Sequence, residues 1–581
     1  MKNLIIVLIC VIVITHFTSC EKMMGTYLDK APGVDVTEDT IFTSGVQVET
    51  FVAGTYRYGI HSIFPKTDGT YTGGGYDPTA SATDECEAAA AFATNAPWNT
   101  GSVTADNITG TEEKRLSIRF KAIRRCNVLI KRIDAVPELL PAYVAQVKGE
   151  AKFIIALNYF EMLKRYGGAP IISKKFELTD DFYVPRNTLK ETVDYIISNC
   201  NEAISSLPDV YSSNMRGRAT KGAALMLKAK TLLYAASPIF NTATPFLDMD
   251  DPANNKLICY GNYDATRWQL AADAAKAVLD WAPTGGISLI TDKGTDKNYR
   301  FMSETPDNPE VILANKSTGK VAIWTAPWTY MFPKGIYSSS TWGLGNSMPL
   351  NFVKRYEKQD GTPQTWDPVG GTNLTTKYNE LDRRFKQSVT VSGDKWNVDY
   401  PIMNSYEGGA QTALCYGGQW ITKLLQQSQT NANYNVMPND MIFRLGEAYL
   451  DYAEALNEAQ GGPLTAAYDA VNTIRVRSGQ PILPTGLTQA QFRDRVRNER
   501  AIELFFEDHR LWDTRRWLIA DQDGIMNGNF YGLKVYLNPS LPNLRYSVYV
   551  FEVRTFPRKM YLHPWLRNEV LKGYLVQNPG W

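Results

Sequence analysis

The sequence predicts a mainly α fold: a tetratricopeptide-like scaffold of helix pairs with long loop-rich excursions and few short strands. Apolar residues recur at helical spacing in eight separate blocks. Small residues and a late proline punctuate one pair of blocks as stacked antiparallel helices require. Two long stretches between blocks show no sustained periodicity, and connections of that length inside a compact protein usually carry function.

The blocks are residues 114–133, 150–166, 188–206, 221–236, 268–281, 443–459, 465–477 and 489–517. In the sixth, Leu445, Ala448, Tyr449, Tyr452 and Leu456 fall at i, i+3, i+4, i+7 and i+11, one face of a helix. Gly461-Gly462-Pro463 stops it. Thr465 opens the next helix, with Ala467 and Val471 on its inner side, and Pro481 follows. The pair is tetratricopeptide-like with a lengthened first helix or turn. The helical scaffold is therefore expected at about 114–282 and 440–520, and the loop-rich regions at about 67–107 and 287–437.

The amino terminus sets the compartment. Met1-Lys2-Asn3 is followed by an apolar run from Leu4 to Thr15 and then by Phe17-Thr18-Ser19-Cys20. This is the pattern of a secretory signal peptide, and the run is shorter than the ~20 residues that a bilayer span needs. Ser19-Cys20 resembles a bacterial lipobox, with Phe17 in place of the usual leucine. Removal of residues 1–19 and acylation of Cys20 would leave 20–581 as a single domain, tethered to a membrane and not spanning it. Each buried CH₂ of an acyl chain contributes ~0.8 kcal/mol, so several chains together make a stable anchor.

Composition excludes several classes. Basic side chains number 61 and acidic ones 60, with no basic run, which argues against a nucleic-acid partner. Histidine occurs only at His16, His61, His509 and His563, and no CxxC is present, so a histidine-based or zinc centre has little to draw on. No cofactor is expected. The loop of Asp248, Asp250 and Asp251 reads equally as a solvated turn or a weak calcium site, without further support for calcium. Beyond Cys10 and Cys20 the chain has Cys86, Cys126, Cys200, Cys259 and Cys415, so at least one stays unpaired within it. The 13 Trp and 32 Tyr need a use beyond the core, since both make flat amphipathic contact surfaces.

The most specific segment runs from Arg497 to Trp517. Ile502, Phe505, Phe506, His509, Trp512 and Arg516 form one stripe of a helix, and Glu499, Glu503 and Glu507 line a second face at i, i+4 and i+8. Like charges so placed repel unless basic groups intervene. Arg495 and Arg510 could intervene from the same helix, and Arg475 or Arg477 from the preceding one. A catalytic carboxylate cluster is one reading. Bidentate Arg–carboxylate links that pack the helix onto its neighbours are the favoured one.

Here the chain resembles the SusD/RagB family, outer-membrane lipoproteins of Bacteroidetes that capture nutrients. The segment Glu499-Arg500-x₂-Glu503-Leu-x-Phe506-Glu507-x-His509-Arg510-x-Trp512-Asp513-x₂-Arg516-Trp517 carries the resemblance. Phe153…Tyr159-Phe160…Tyr166-Gly-Gly-x-Pro170 and Gly217-Arg-Ala-Thr-Lys221…Leu233-Tyr-Ala-Ala-Ser-Pro238 support it. So do Arg444-Leu-x-Glu447-Ala-Tyr-Leu450…Ala453-Glu-Ala455 and Tyr561-Leu-x-Pro564…Gln577-Asn-Pro-Gly-Trp581. The resemblance implies a non-enzymatic protein that holds oligosaccharides, or in some branches peptides. It also implies a TonB-dependent, SusC-like transporter as partner, with outer-membrane lipid engaged through acylated Cys20.

Ligand residues vary within that family and are sought in the two loop-rich regions. Pyranose rings present an apolar C–H face to Trp or Tyr and a hydroxyl rim to Asn or Asp. The candidates are Tyr71, Tyr76, Asp84, Trp98 and Asn99 in the first region, and Trp324, Trp328, Tyr330 and Trp342 in the second; Trp396 and Trp420 add to the aromatic content there. Sizeable exposed apolar patches usually mark interaction sites, so Trp98, Trp324 and Trp328 are expected to stand exposed. A surface glycoside hydrolase would need two carboxyl groups about 5–9.5 Å apart, and adjacent Asp84 and Glu85 make a poor pair. A structural surface-layer protein would bind no ligand at all.

Overall fold

The computed structural model describes residues 38–61, 78–90, 93–108, 112–316, 345–430, 439–538 and 543–581. The principal helices are α1 (Gly45–Gly59), α2 (Glu112–Arg132), α3 (Pro141–Tyr166), α4 (Leu189–Ser206), α5 (Lys221–Ala236), α6 (Thr266–Trp281), α7 (Leu445–Ala459), α8 (Thr465–Arg477), α9 (Gln489–Glu503) and α10 (Arg510–Arg516). The fold is mainly α, with tetratricopeptide-like helix pairs and few strands.

Local signals start and stop these helices. Thr188 and Glu191 form a capping box on α4, and Thr488 and Gln491 form another on α9, satisfying amide groups that a bare helix start leaves unpaired. Thr220 caps α5. Pro141 opens α3, and Gly167 closes it at φ 77, a conformation that few other residues adopt without strain. Because of Pro141, α3 begins about two and a half turns before the expected start at 150.

Each helix packs on the next: α1 on α2, and so on through α6, after which α6 packs on α7 and α7 on both α8 and α9. The stack therefore runs on across residues 282–444, as though that excursion were absent. Trp268, Ala271 and Ala272 of α6 share a buried cluster with Leu450, Ala453 and Leu456 of α7 and with Ala467 and Val471 of α8. At the other face of α6 the Trp281 ring fills the space above Gly222, where an added Cβ would lie 2.0 Å from it.

The excursion has its own core, in which Trp396 and Trp420 are 1% and 0% exposed. Strands β1 (Glu87–Ala88), β3 (Asn346–Ser347), β5 (Val389–Thr390) and β6 (Trp420–Ile421) form a small antiparallel sheet in the order β1-β3-β6-β5. Strand β2 (Val311–Ala314) pairs with β7 (Met441–Arg444), so Phe443 belongs to a strand that feeds α7 and not to the helix expected from 443. A long hairpin of β8 (Gly528–Tyr536) and β9 (Arg545–Arg554), with β4 (Gly370–Gly371) beside β9, follows the scaffold.

One larger correction concerns the helix expected over 489–517. It breaks after Glu503, and α10 starts only at Arg510. Phe506 and Asp508 between them have φ 63, a left-handed conformation that persists in bulky residues only where surrounding contacts demand it. The apolar stripe drawn through this segment is therefore not one helix face.

Candidate functional site

The demand on that break comes from charge. Arg384 bonds both Glu499 (2.5 Å) and Glu503 (3.0 Å), while Arg444 bonds Glu503 (2.8 Å), Glu310 (2.9 Å) and Glu507 (2.6 Å). Arg475 joins Glu499 to Glu357, Arg477 joins Glu503 to Glu310, and Lys423 meets Glu507. The left-handed turn swings Glu507 away from the α9 direction and onto Arg444 and Lys423. Burial opposes ionisation of Glu503, yet Arg477, Arg444 and Arg384 outweigh it and hold its carboxyl well below the usual range. Burial pulls Lys423 down to about 8 against the opposing pull of Glu507. Arg475 and Arg477 act as expected. Arg495 instead pairs with Glu357, and Arg510 with Asp84. All three glutamates are buried, so this node fastens the excursion to the scaffold away from solvent.

The first loop region is also fastened inward. Asp84 is fully buried and takes two bonds from Arg510 (2.8 and 2.9 Å) and an ion pair with Arg355 (3.0 Å). Glu85 beside it accepts the Phe506 amide, and burial pushes its carboxyl well above the usual range. Neither reaches solvent, which removes them as a hydrolytic pair. Trp98, expected to be exposed, is 7% exposed, with its ring 4.5 Å from His563 and 5.4 Å from the Arg515 guanidinium. Asn99 is buried too; its amide donates to the Ser81 carbonyl, and its own carbonyl accepts from Thr555. Asp84, Trp98 and Asn99 thus spend their surfaces on the fold. Tyr71, Tyr76, Trp324, Trp328, Tyr330 and Trp342, like Cys20, lie outside the described residues.

What is described are the stems of the segments carrying those six aromatics. Residues 62–77 leave from His61 and residues 317–344 leave from Lys316, and the Asn315 amide bonds the His61 carbonyl at 3.0 Å. On the return side, Glu87 pairs with Ser347 and Ala88 with Asn346. Described residues that precede the two segments therefore meet, as do residues that follow them. Beside the first stems lies a polar groove of about 320 Å³ lined by Tyr56, Arg57, Asn214, Arg216, Arg218 and Lys316. Arg218 is held there by Glu49 (2.8 Å) and Glu150 (2.9 Å), and Lys316 by Asp307 (2.6 Å). Near the return stems, Leu414 touches Gly345, and Tyr416 carries half-buried Phe551 at 5.8 Å with Tyr549 bonded to its carbonyl.

Sequence reading missed Tyr416, Tyr549 and Phe551 as a surface set. The signal was present in the strand-forming run Arg545–Arg554, but the hairpin itself went unanticipated, as did the register shift at Phe551. Chemically the two flanks offer aromatic faces and paired polar groups, which suit stacking and hydrogen bonding. The acidic loop is used locally: Asp248 accepts from Asn255, and Asp251 caps the turn Pro252–Leu257.

A family model described as SusD family matches residues 309–581, and a second, described as starch-binding associating with outer membrane, matches residues 27–233. A SusD-like protein P25 of Formosa agariphila is 22% identical over 417 residues, 68% of each chain. The crystal structure of a SusD-like protein from Bacteroides fragilis superposes with a TM-score of 0.77 at 25% identity, over 95% of this chain and 100% of that one. A second Bacteroides fragilis structure, titled a SusD-like carbohydrate binding protein, gives 0.68 at 19% identity over 92% and 99%. Among the described residues no helix is long and apolar enough to cross a membrane.

Proposed function

The chain belongs to the SusD/RagB family, and from that premise we propose that it captures an oligosaccharide at the cell surface without cleaving it. The captured glycan passes to a TonB-dependent, SusC-like outer-membrane transporter. Acylated Cys20 keeps the protein on the outer membrane, and residues 20–581 act as one unit. The observation that carries the reading is the convergence of the stems of 62–77 and 317–344 through Asn315 and His61. It sets side by side the described residues from which the two regions richest in unassigned aromatics depart. A related structure described as a SusD-like carbohydrate binding protein and a matching family described as starch-binding support the same ligand class.

Affinity electrophoresis or calorimetry against a panel of polysaccharides and peptides tests this. Retention of a glycan with no new reducing ends is expected. Trp324→Ala and Trp328→Ala should each weaken that binding about tenfold or more, roughly 1.4 kcal/mol, with an unchanged melting temperature. Full binding by both variants would move the platform elsewhere, and release of shorter sugars would make the protein a hydrolase. Retention of peptides in place of glycans would assign it to the peptide-binding branch.

The anchor has a separate test. Cys20→Ala is expected to move the protein from the membrane fraction to the soluble one. A variant that stays with the membrane after a salt wash would defeat the lipid assignment.

A further inference from the structure

The polar groove beside the first stems carries an excess of positive charge. Arg57, Arg216, Arg218 and Lys316 line it, and among the described residues Glu49 is the single carboxylate of the lining. Arg218 serves the fold. Its side chain is 9% exposed and is gripped by Glu49 (2.8 Å) and by buried Glu150 (2.9 Å), while the Tyr143 hydroxyl also donates to Glu49. The one acid of the lining is therefore already answered twice, and the charges left to meet a ligand are cationic.

Gly217 makes this division. At φ 94 it takes a conformation that residues with a side chain rarely adopt, and the chain there turns Arg218 inward and Arg216 outward. The Arg216 side chain is 57% exposed, and its ion pair with Asp307 is 3.8 Å long, beyond hydrogen-bond range. Asp307 is already paired at 2.6 Å with Lys316, whose stem lies against Gly217. One carboxylate thus serves two cations. Asn214 adds a donor, since its Oδ1 accepts from the Ser212 hydroxyl at 2.7 Å and its Nδ2 has no acceptor among the described residues.

Position links this charge to the glycan surface. Ile60, Ala314 and Asn315 line the groove as well, and the Asn315 amide bonds the His61 carbonyl where the aromatic-rich segments depart. A saccharide captured at that point lies within reach of Arg216 and Lys316. A guanidinium with unused donors binds a carboxylate or a sulfate through two parallel bonds. The hydroxyls of a neutral sugar need acceptors as well as donors, and the cations supply none. Resting on the glycan-capture reading above, we infer that the captured oligosaccharide is acidic, and that Arg216, Lys316 and Asn214 take its carboxylate or sulfate group.

Affinity electrophoresis with paired polysaccharides tests this. Polygalacturonate against its carboxyl-reduced form reports a carboxylate, and carrageenan against its desulfated form reports a sulfate ester. Retention of at least one acidic member is expected, at least tenfold weaker once its acid is removed. Arg216→Glu, at an exposed position, should melt with the parent and weaken that retention at least tenfold, while Arg216→Lys should keep most of it. Raising sodium chloride from about 50 to about 500 mM should weaken parent binding severalfold and Arg216→Glu binding less, because salt screens exposed charges. Equal retention of each acidic polymer and its neutral counterpart, or retention of neutral polymers alone, would overturn the inference and leave glycan capture standing. Unchanged acidic binding by Arg216→Glu would overturn it too. Retention of no saccharide of either kind would overturn both readings.

Discussion

Glu503→Ala is expected to destabilise the protein by about 3–5 kcal/mol, because removing one partner of a buried ion pair leaves the other charge uncompensated. Here three guanidinium groups, those of Arg384, Arg444 and Arg477, converge on the one carboxylate at full burial. Denaturant unfolding measures the effect, and Glu503→Gln, which keeps the volume, should lose most of the same stability. The pH dependence has a definite sign. The folded-state carboxyl is held far below its usual range, so its contribution is present above the unfolded value of about 4.3 and fades only as pH falls further. The gap between parent and Glu503→Gln should therefore stay constant from neutral pH to about 5 and narrow below about 4. A variant that melts with the parent yet no longer retains glycan would place Glu503 in the binding site.

Trp98→Ala should cost about 3–5 kcal/mol as well, the usual result of emptying a buried tryptophan site. The ring closes a stack with His563 and Arg515, and His563 itself lies 5.8 Å from the Trp512 ring. Calorimetric melting reads this directly. Below its lowered midpoint the variant should retain glycan as the parent does, the opposite of the pattern expected at Trp324 and Trp328. Parent-like melting with lost binding would return Trp98 to the ligand surface.

These two residues also mark where the sequence was legible and where it was not. Helix starts could be read because their causes are local: Thr188 with Glu191, and Thr488 with Gln491, are three residues apart. The pairing of α7 with α8 could be read for the same reason, from Gly461-Gly462-Pro463 and the small residues at Ala467 and Val471. Trp98 could not be placed, since its covering partners lie more than four hundred residues away at Arg515 and His563. Asp84 meets Arg510 at a separation of 426. The break after Glu503 was hidden likewise, because Glu507 answers Arg444 and Lys423 across separations of 63 and 84. Helical periodicity continues through the turn while the contacts that bend it come from elsewhere. The family could be read because its motifs are short and contiguous; the candidate site could be read only as two regions, with their meeting point at Asn315 and His61 invisible.

The insertion of residues 282–444 between α6 and α7 sets a clock on biosynthesis. Trp268, Ala271 and Ala272 complete their cluster only with Leu450, Ala453 and Leu456. At roughly 5–20 residues per second of chain growth, α6 waits roughly 10–30 s for its sheltering neighbour to be made. Through that interval its tryptophan and alanine face is open to any other nascent chain, and escort of the unfinished polypeptide has to last at least as long.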